Sequence, residues 1–104
     1  MTVPQTRPAT AKRLLDQVLA ELLDTADQRD ALDSAIVSAV EGAALIAGAA
    51  EEARREDGGG KAVELAKEAL GAMRASVVAT TVSVRTLADR RRERAVAESV
   101  GRRA

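Results

Sequence analysis

The sequence predicts an all-α protein: a long antiparallel helical hairpin, residues about 31–56 and 61–97, with a shorter N-terminal helix over about 11–24. Three observations predict it. Asp57-Gly58-Gly59-Gly60-Lys61 divides two long stretches, 31–56 and 61–100, that contain no proline. In both, apolar residues recur at alternating steps of three and four, the period of one helix face. The connection between them is short, which favours antiparallel neighbours.

In chain order, residues 1–9 read as a disordered lead. Pro4 and Pro8 fall within it, and it lacks the apolar core of a signal peptide. Thr10 is the expected N-cap of the first helix. Leu14, Leu15, Val18, Leu19, Leu22 and Leu23 then form a leucine-rich stripe, with Asp16, Gln17, Glu21 and Asp24 off it. A break is expected near 24–30, where aspartates cluster and Thr25 with Gln28 has the spacing of a capping box. The alternative is one unbroken helix over 11–56, because the phase of Leu15, Val18 and Leu22 can be carried through Thr25 and Arg29 to Leu32. Residues 31–50 are uncharged apart from Asp33 and Glu41, and their length approaches that of a membrane span. Their content is mostly Ala, Gly and Ser, which does not offset a central carboxylate, so a membrane is not the expected partner.

Three consecutive glycines each lower helix propensity by roughly 1 kcal/mol relative to alanine and also permit positive φ, so a reversal is expected there. Arg54 and Arg55 precede it, where positive charge suits a helix C-terminus. The last helix starts near Lys61 and runs past Arg94; residues 101–104 are expected to fray. Residues 10–100 form a single domain on this view.

Folding back about Gly59 brings small residues together: Ala47 with Gly71, Ala43 with Ala75, Ala39 with Ala79, Ala35 with Ser83. Two heptad seams flank them. One is Leu32, Ile36, Ala39, Ala43, Ile46 and Ala50; the other is Val63, Ala66, Leu70, Met73, Val77, Thr80, Val84 and Leu87. The expected intrachain contact uses these seams.

Composition excludes several kinds of chemistry. Cysteine and histidine are absent, so neither a disulfide framework nor thiolate or imidazole chemistry is available. Sixteen basic and sixteen acidic residues balance, so whole-protein attraction to nucleic acid or membrane is not expected. With no aromatics, bases have nothing to stack on. An Ala-dominated hairpin buries little apolar surface per residue, so a third helix, a second copy, or both should complete it.

Five features bear on chemistry. Arg85, Arg90, Arg91, Arg92 and Arg94 form a basic run. The sharp interpretation is a phosphate-binding helix using Arg90, Arg91, Arg92 and Arg94. The bland one is pairing with the acid-rich 16–33 segment, which sets Arg85 opposite Asp33, Arg91 opposite Asp27 and Arg94 opposite Asp24. Asp24, Asp27, Asp30 and Asp33 lack the ligand spacing of a calcium loop, and capping explains them better. Glu41 and Arg74 interrupt apolar runs, but one carboxylate without a second convergent group is not an acid–base pair. Gly58–Gly60 with Lys61 lacks the spacing and the Ser/Thr of a phosphate loop, and the hydroxyls of Ser76, Thr80, Thr81, Ser83 and Thr86 have no base beside them.

The expected function is therefore a non-enzymatic, cytoplasmic protein–protein interaction or oligomerisation module without cofactor or metal. Its partner is a second copy, as a dimer forming a multi-helix bundle, or another helical protein. The expected interaction face is Leu15, Leu19, Leu22, Val37, Leu45, Val78 and Val82. The alternative is a nucleic-acid-binding regulator acting through the Arg-rich helix.

Overall fold

A computed structural model describes residues 6–27 and 29–103. Among these residues the chain is all-α: α1 (Arg7–Thr25), α2 (Ala31–Ala53) and α3 (Gly59–Arg103). α2 lies between α1 and α3 and packs on both. The result is an elongated body of 74 × 28 × 19 Å.

α1 starts earlier than the sequence predicts. Thr6, not Thr10, is the N-cap, and its hydroxyl accepts from the Ala9 N–H at 3.2 Å. Pro8 falls in the first turn, where its missing N–H would have had no helical partner anyway, so it does not delay the helix. Thr10 is already one turn in and donates its N–H to the Thr6 carbonyl. The Thr6 hydroxyl also donates to a Glu51 carboxylate oxygen, tying the start of α1 to the end of α2.

The break falls where the aspartates cluster, so α1 and α2 are separate helices. Its cap is Asp30, whose Oδ1 accepts from the N–H groups of Leu32 (2.8 Å) and Asp33 (3.4 Å). Asp33 in turn accepts from the Asp27 N–H at 2.9 Å, and Asp27 from the Arg29 N–H at 3.0 Å. Three of the four regularly spaced aspartates thus satisfy backbone donors. Thr25 does not cap α2; it ends α1 and donates its hydroxyl to the Glu21 carbonyl. Gln28, its expected partner, lies outside the described residues, as do residues 1–5 of the lead.

The reversal sits at the predicted glycines, for a different reason. No described glycine has positive φ. Gly58 is needed because it is buried against the end of α2: a Cβ there would lie 1.9 Å from the Glu52 carbonyl oxygen. Its N–H donates to the Arg55 carbonyl, and its own carbonyl accepts from Ala62, starting α3. Gly59 and Gly60 belong to the first turn of α3, with open space where a Cβ would go. The Glu52 carboxylate receives both Arg55 (3.4 Å) and Lys61 (3.7 Å) across the corner. α2 ends at Ala53, three residues short of the expected boundary, and α3 continues to Arg103 through the tail expected to fray.

The hairpin closes on small side chains. The side of α3 turned to α2 carries Ala62, Leu65, Ala69, Ala72, Met73, Ser76, Ala79 and Ser83, all buried or half-buried. Met73 lies over Gly42, its Cε 2.8 Å from where a Cβ would stand. The Ser76 hydroxyl donates across the interface to the Ala35 carbonyl at 3.0 Å. Ala35 and Ser83 of the expected small-residue ladder are buried, but Ala75 is exposed and Gly71 has nothing within 4 Å of its Cβ position. Of the expected heptad seams, Met73 joins this contact at Gly42, but the larger aliphatic residues do not. Leu32, Ile36, Ile46, Val63, Leu70, Val77, Val84 and Leu87 are each about half exposed or more. Among the described residues, the buried hydrophobic side chains are all alanines, at Ala35, Ala44, Ala47 and Ala69. Small residues win the interior because they let the two backbones approach, and larger ones are displaced to its flanks.

Candidate interaction surface

The displaced residues form a surface of their own. At 100° per residue, Leu32, Ile36, Ala39, Ala43, Ile46 and Ala50 fall within about 80° on one flank of α2. Val63, Ala66, Leu70, Met73, Val77, Thr80, Val84 and Leu87 fall within about 120° on one flank of α3. Because α2 and α3 run antiparallel, these two flanks turn to the same side of the hairpin. Ile36 is 48% exposed and Val77 65%. Asp33, Glu41, Glu64, Lys67, Glu68 and Arg85 fall on other flanks, and Arg74 stands at the outer rim. The hairpin therefore has one broad aliphatic side, edged along α3 by Arg74, Lys67 and Arg85, with Asp33, Glu41, Glu64 and Glu68 further round.

α1 covers a different part of α2. Lys12, Asp16 and Leu19 share a groove with Glu41, Ala44, Leu45, Gly48 and Leu65, and Lys12 pairs with Asp16 at 2.6 Å on its rim. Leu15, Leu19 and Leu22 are half-buried, as are Val37 and Leu45 on α2. Val78 and Val82 are exposed on the flank of α3 away from the aliphatic side. The seven residues expected to make one interaction face are thus split: five lie in or beside the intrachain packing around α1 and α2, and two lie elsewhere. What identified the actual surface was already in the sequence, as the two heptad seams, but they were expected to face each other.

The Arg-rich segment is left unpaired with the acidic one. Among the described residues, its ion pair is Arg92 with Asp89 at 3.3 Å, within α3. Arg29 pairs with Asp27 at 3.5 Å, and Arg90 lines a notch with Asp27, Arg29, Asp30, Leu32 and Leu87 without a salt bridge. Every described side chain from Asp89 to Arg102 is exposed. Glu41 and Arg74 are both exposed and do not pair with each other. α2 is long and apolar enough to cross a membrane by length and composition alone; here it is the middle helix, in contact with α1 and α3. Comparison with family models, with curated proteins and with solved structures returned no match.

Proposed function

We propose that this protein is a non-enzymatic helical module that acts through protein–protein contact, with a second copy of itself or another helical protein as partner. One observation carries this: among the described residues the buried hydrophobic side chains are all alanines, while fifteen large aliphatic side chains stand exposed, many of them on one side of the hairpin. Water-exposed aliphatic area on that scale is unfavourable unless covered, at about 25 cal/mol per Å². Such a module needs no cofactor, and the packing of α2 against both α1 and α3 fits a cytoplasmic protein better than a membrane-spanning one. Sedimentation velocity and native mass measurement test it. A species of at least twice 10.9 kDa at micromolar concentration is expected; a monomer at high micromolar concentration removes self-association and leaves only a foreign partner.

A second function has an observation of its own. Among the described residues, the arginines at 90, 91 and 94 make no ion pair, so self-neutralisation does not occupy them. A regulator that binds nucleic-acid phosphates through Arg90, Arg91, Arg92 and Arg94 predicts duplex binding that weakens steeply with salt and is lost on replacing Arg90, Arg91 and Arg92 with alanine. Absence of binding at low salt eliminates it.

A further inference from the structure

Resting on the self-association proposed above, we infer that the aliphatic side of the hairpin is a two-fold interface on which α2 lies across α2, and α3 across α3, of a second copy. The area fits. α2 is 23 residues long, about 35 Å, and a two-helix hairpin is about 20 Å wide. That gives roughly 700 Å² per protomer and roughly 1,400 Å² in all, within the range of stable specific interfaces.

Each seam also has the local symmetry that a two-fold axis needs. The α2 seam runs from Leu32 to Ala50 and is centred on residue 41; the α3 seam runs from Val63 to Leu87 and is centred on residue 75. Met73 lies over Gly42, Leu65 reaches Gly48 and the Ser76 hydroxyl reaches the Ala35 carbonyl, so position 41 lies abreast of about 70–74, roughly one to five residues from 75. A single two-fold axis lying in the interface and crossing both helices there serves both seams. Steps of three and four are symmetric about midpoints that recur along each seam, so an axis through residue 41 of α2 also falls near such a midpoint of the α3 seam. Along α2 the axis sets Ala39 against Ala43 of the partner subunit, Ile36 against Ile46 of the partner subunit and Leu32 against Ala50 of the partner subunit. Small meets small at the axis, where the backbones come closest, and the longest side chain meets a small one at the end.

The native chain has no cysteine, so introduced thiols report the pairing directly. Mixing Ala39→Cys and Ala43→Cys proteins under mild oxidation is expected to give a disulfide-linked dimer of the two, whereas Val78→Cys, off the surface, gives none. In sedimentation equilibrium, Ile36→Ser combined with Val77→Ser is expected to weaken self-association by about a hundredfold or more with helicity retained, while Val78→Ser leaves it unchanged. If the double variant does not fold, the disulfide test decides alone. A monomeric native protein overturns self-association itself. A native dimer that gives no Ala39→Cys/Ala43→Cys link, and is indifferent to Ile36→Ser with Val77→Ser, retains self-association and overturns this interface.

Discussion

Replacing Gly58 with alanine tests the corner on which the hairpin turns. An ideal Cβ at this position falls 1.9 Å from the Glu52 carbonyl oxygen, 2.9 Å from its carbon and 3.2 Å from the Arg55 Cβ. Real Cβ atoms do not come within 3.0 Å of such atoms, so the backbone must open by about 1 Å. The Glu52 oxygen already accepts the Arg55 N–H at 3.0 Å, and moving it weakens that bond. Overpacking against backbone costs up to ~3 kcal/mol, and a strained hydrogen bond adds up to ~1 kcal/mol. Reduced freedom of the unfolded chain returns about 0.5–1 kcal/mol. The net expectation is a loss of about 2–3 kcal/mol, or a fall in Tm of about 10–20 °C for a chain of this size. Gly59→Ala and Gly60→Ala are the controls: open space surrounds both Cβ positions, so each should be neutral or stabilising by up to ~1 kcal/mol. Thermal unfolding followed by circular dichroism at one fixed protein concentration reads all three, the fixed concentration removing any contribution from self-association. Equal behaviour of the three variants would refute the close approach of Gly58 to α2.

Gly71→Ala should stabilise by about 0.5–1 kcal/mol, because Gly71 is inside α3 with nothing near its Cβ position; destabilisation in urea unfolding would instead restore the expected Ala47–Gly71 contact. Asp30→Ala removes the α2 cap and should cost about 1 kcal/mol, with faster amide exchange confined to Leu32 and Asp33. Ser76→Ala deletes the hydrogen bond to the Ala35 carbonyl and should cost about 0.5–1.5 kcal/mol in chemical unfolding. Ser83→Ala should stay within about 0.5 kcal/mol although Ser83 is only 4% exposed, because its hydroxyl serves a carbonyl of its own helix; the reverse order of the two serines would show that α3 is rotated relative to α2.

Much of the fold was legible in the residues. The glycine run and the aspartate cluster mark both helix breaks, since each residue type acts locally. Which flank of each helix turns inward was not legible. Periodicity reports that Leu32, Ile36 and Ile46, or Val63, Leu70 and Val77, share a side; it carries no information about what covers that side. Ranking by hydrophobicity then places the larger residues inside, whereas here Ala35, Ala47 and Ala69 are inside because close backbone approach outweighs side-chain size. The arginine run was assigned to Asp24, Asp27 and Asp33 by charge alone. Backbone donors at a helix start had the prior claim on Asp27 and Asp33. The start of α1 was missed because Pro8 suggests irregular chain, yet a first-turn proline is compatible with the helix Thr6 initiates.

From Arg91 to Arg102 every described side chain of α3 is exposed, a free stem of about 20 Å. As a detached peptide, a segment that short would be mostly coil, since the opening turn is the costly step. Attached here, it inherits that turn ready-made from the portion clamped against α2, and only its distal end can unwind. Its order should therefore fade gradually toward the C-terminus instead of melting as a block. A carboxypeptidase would shorten the stem step by step and slow where the clamp begins, with the hairpin still closed.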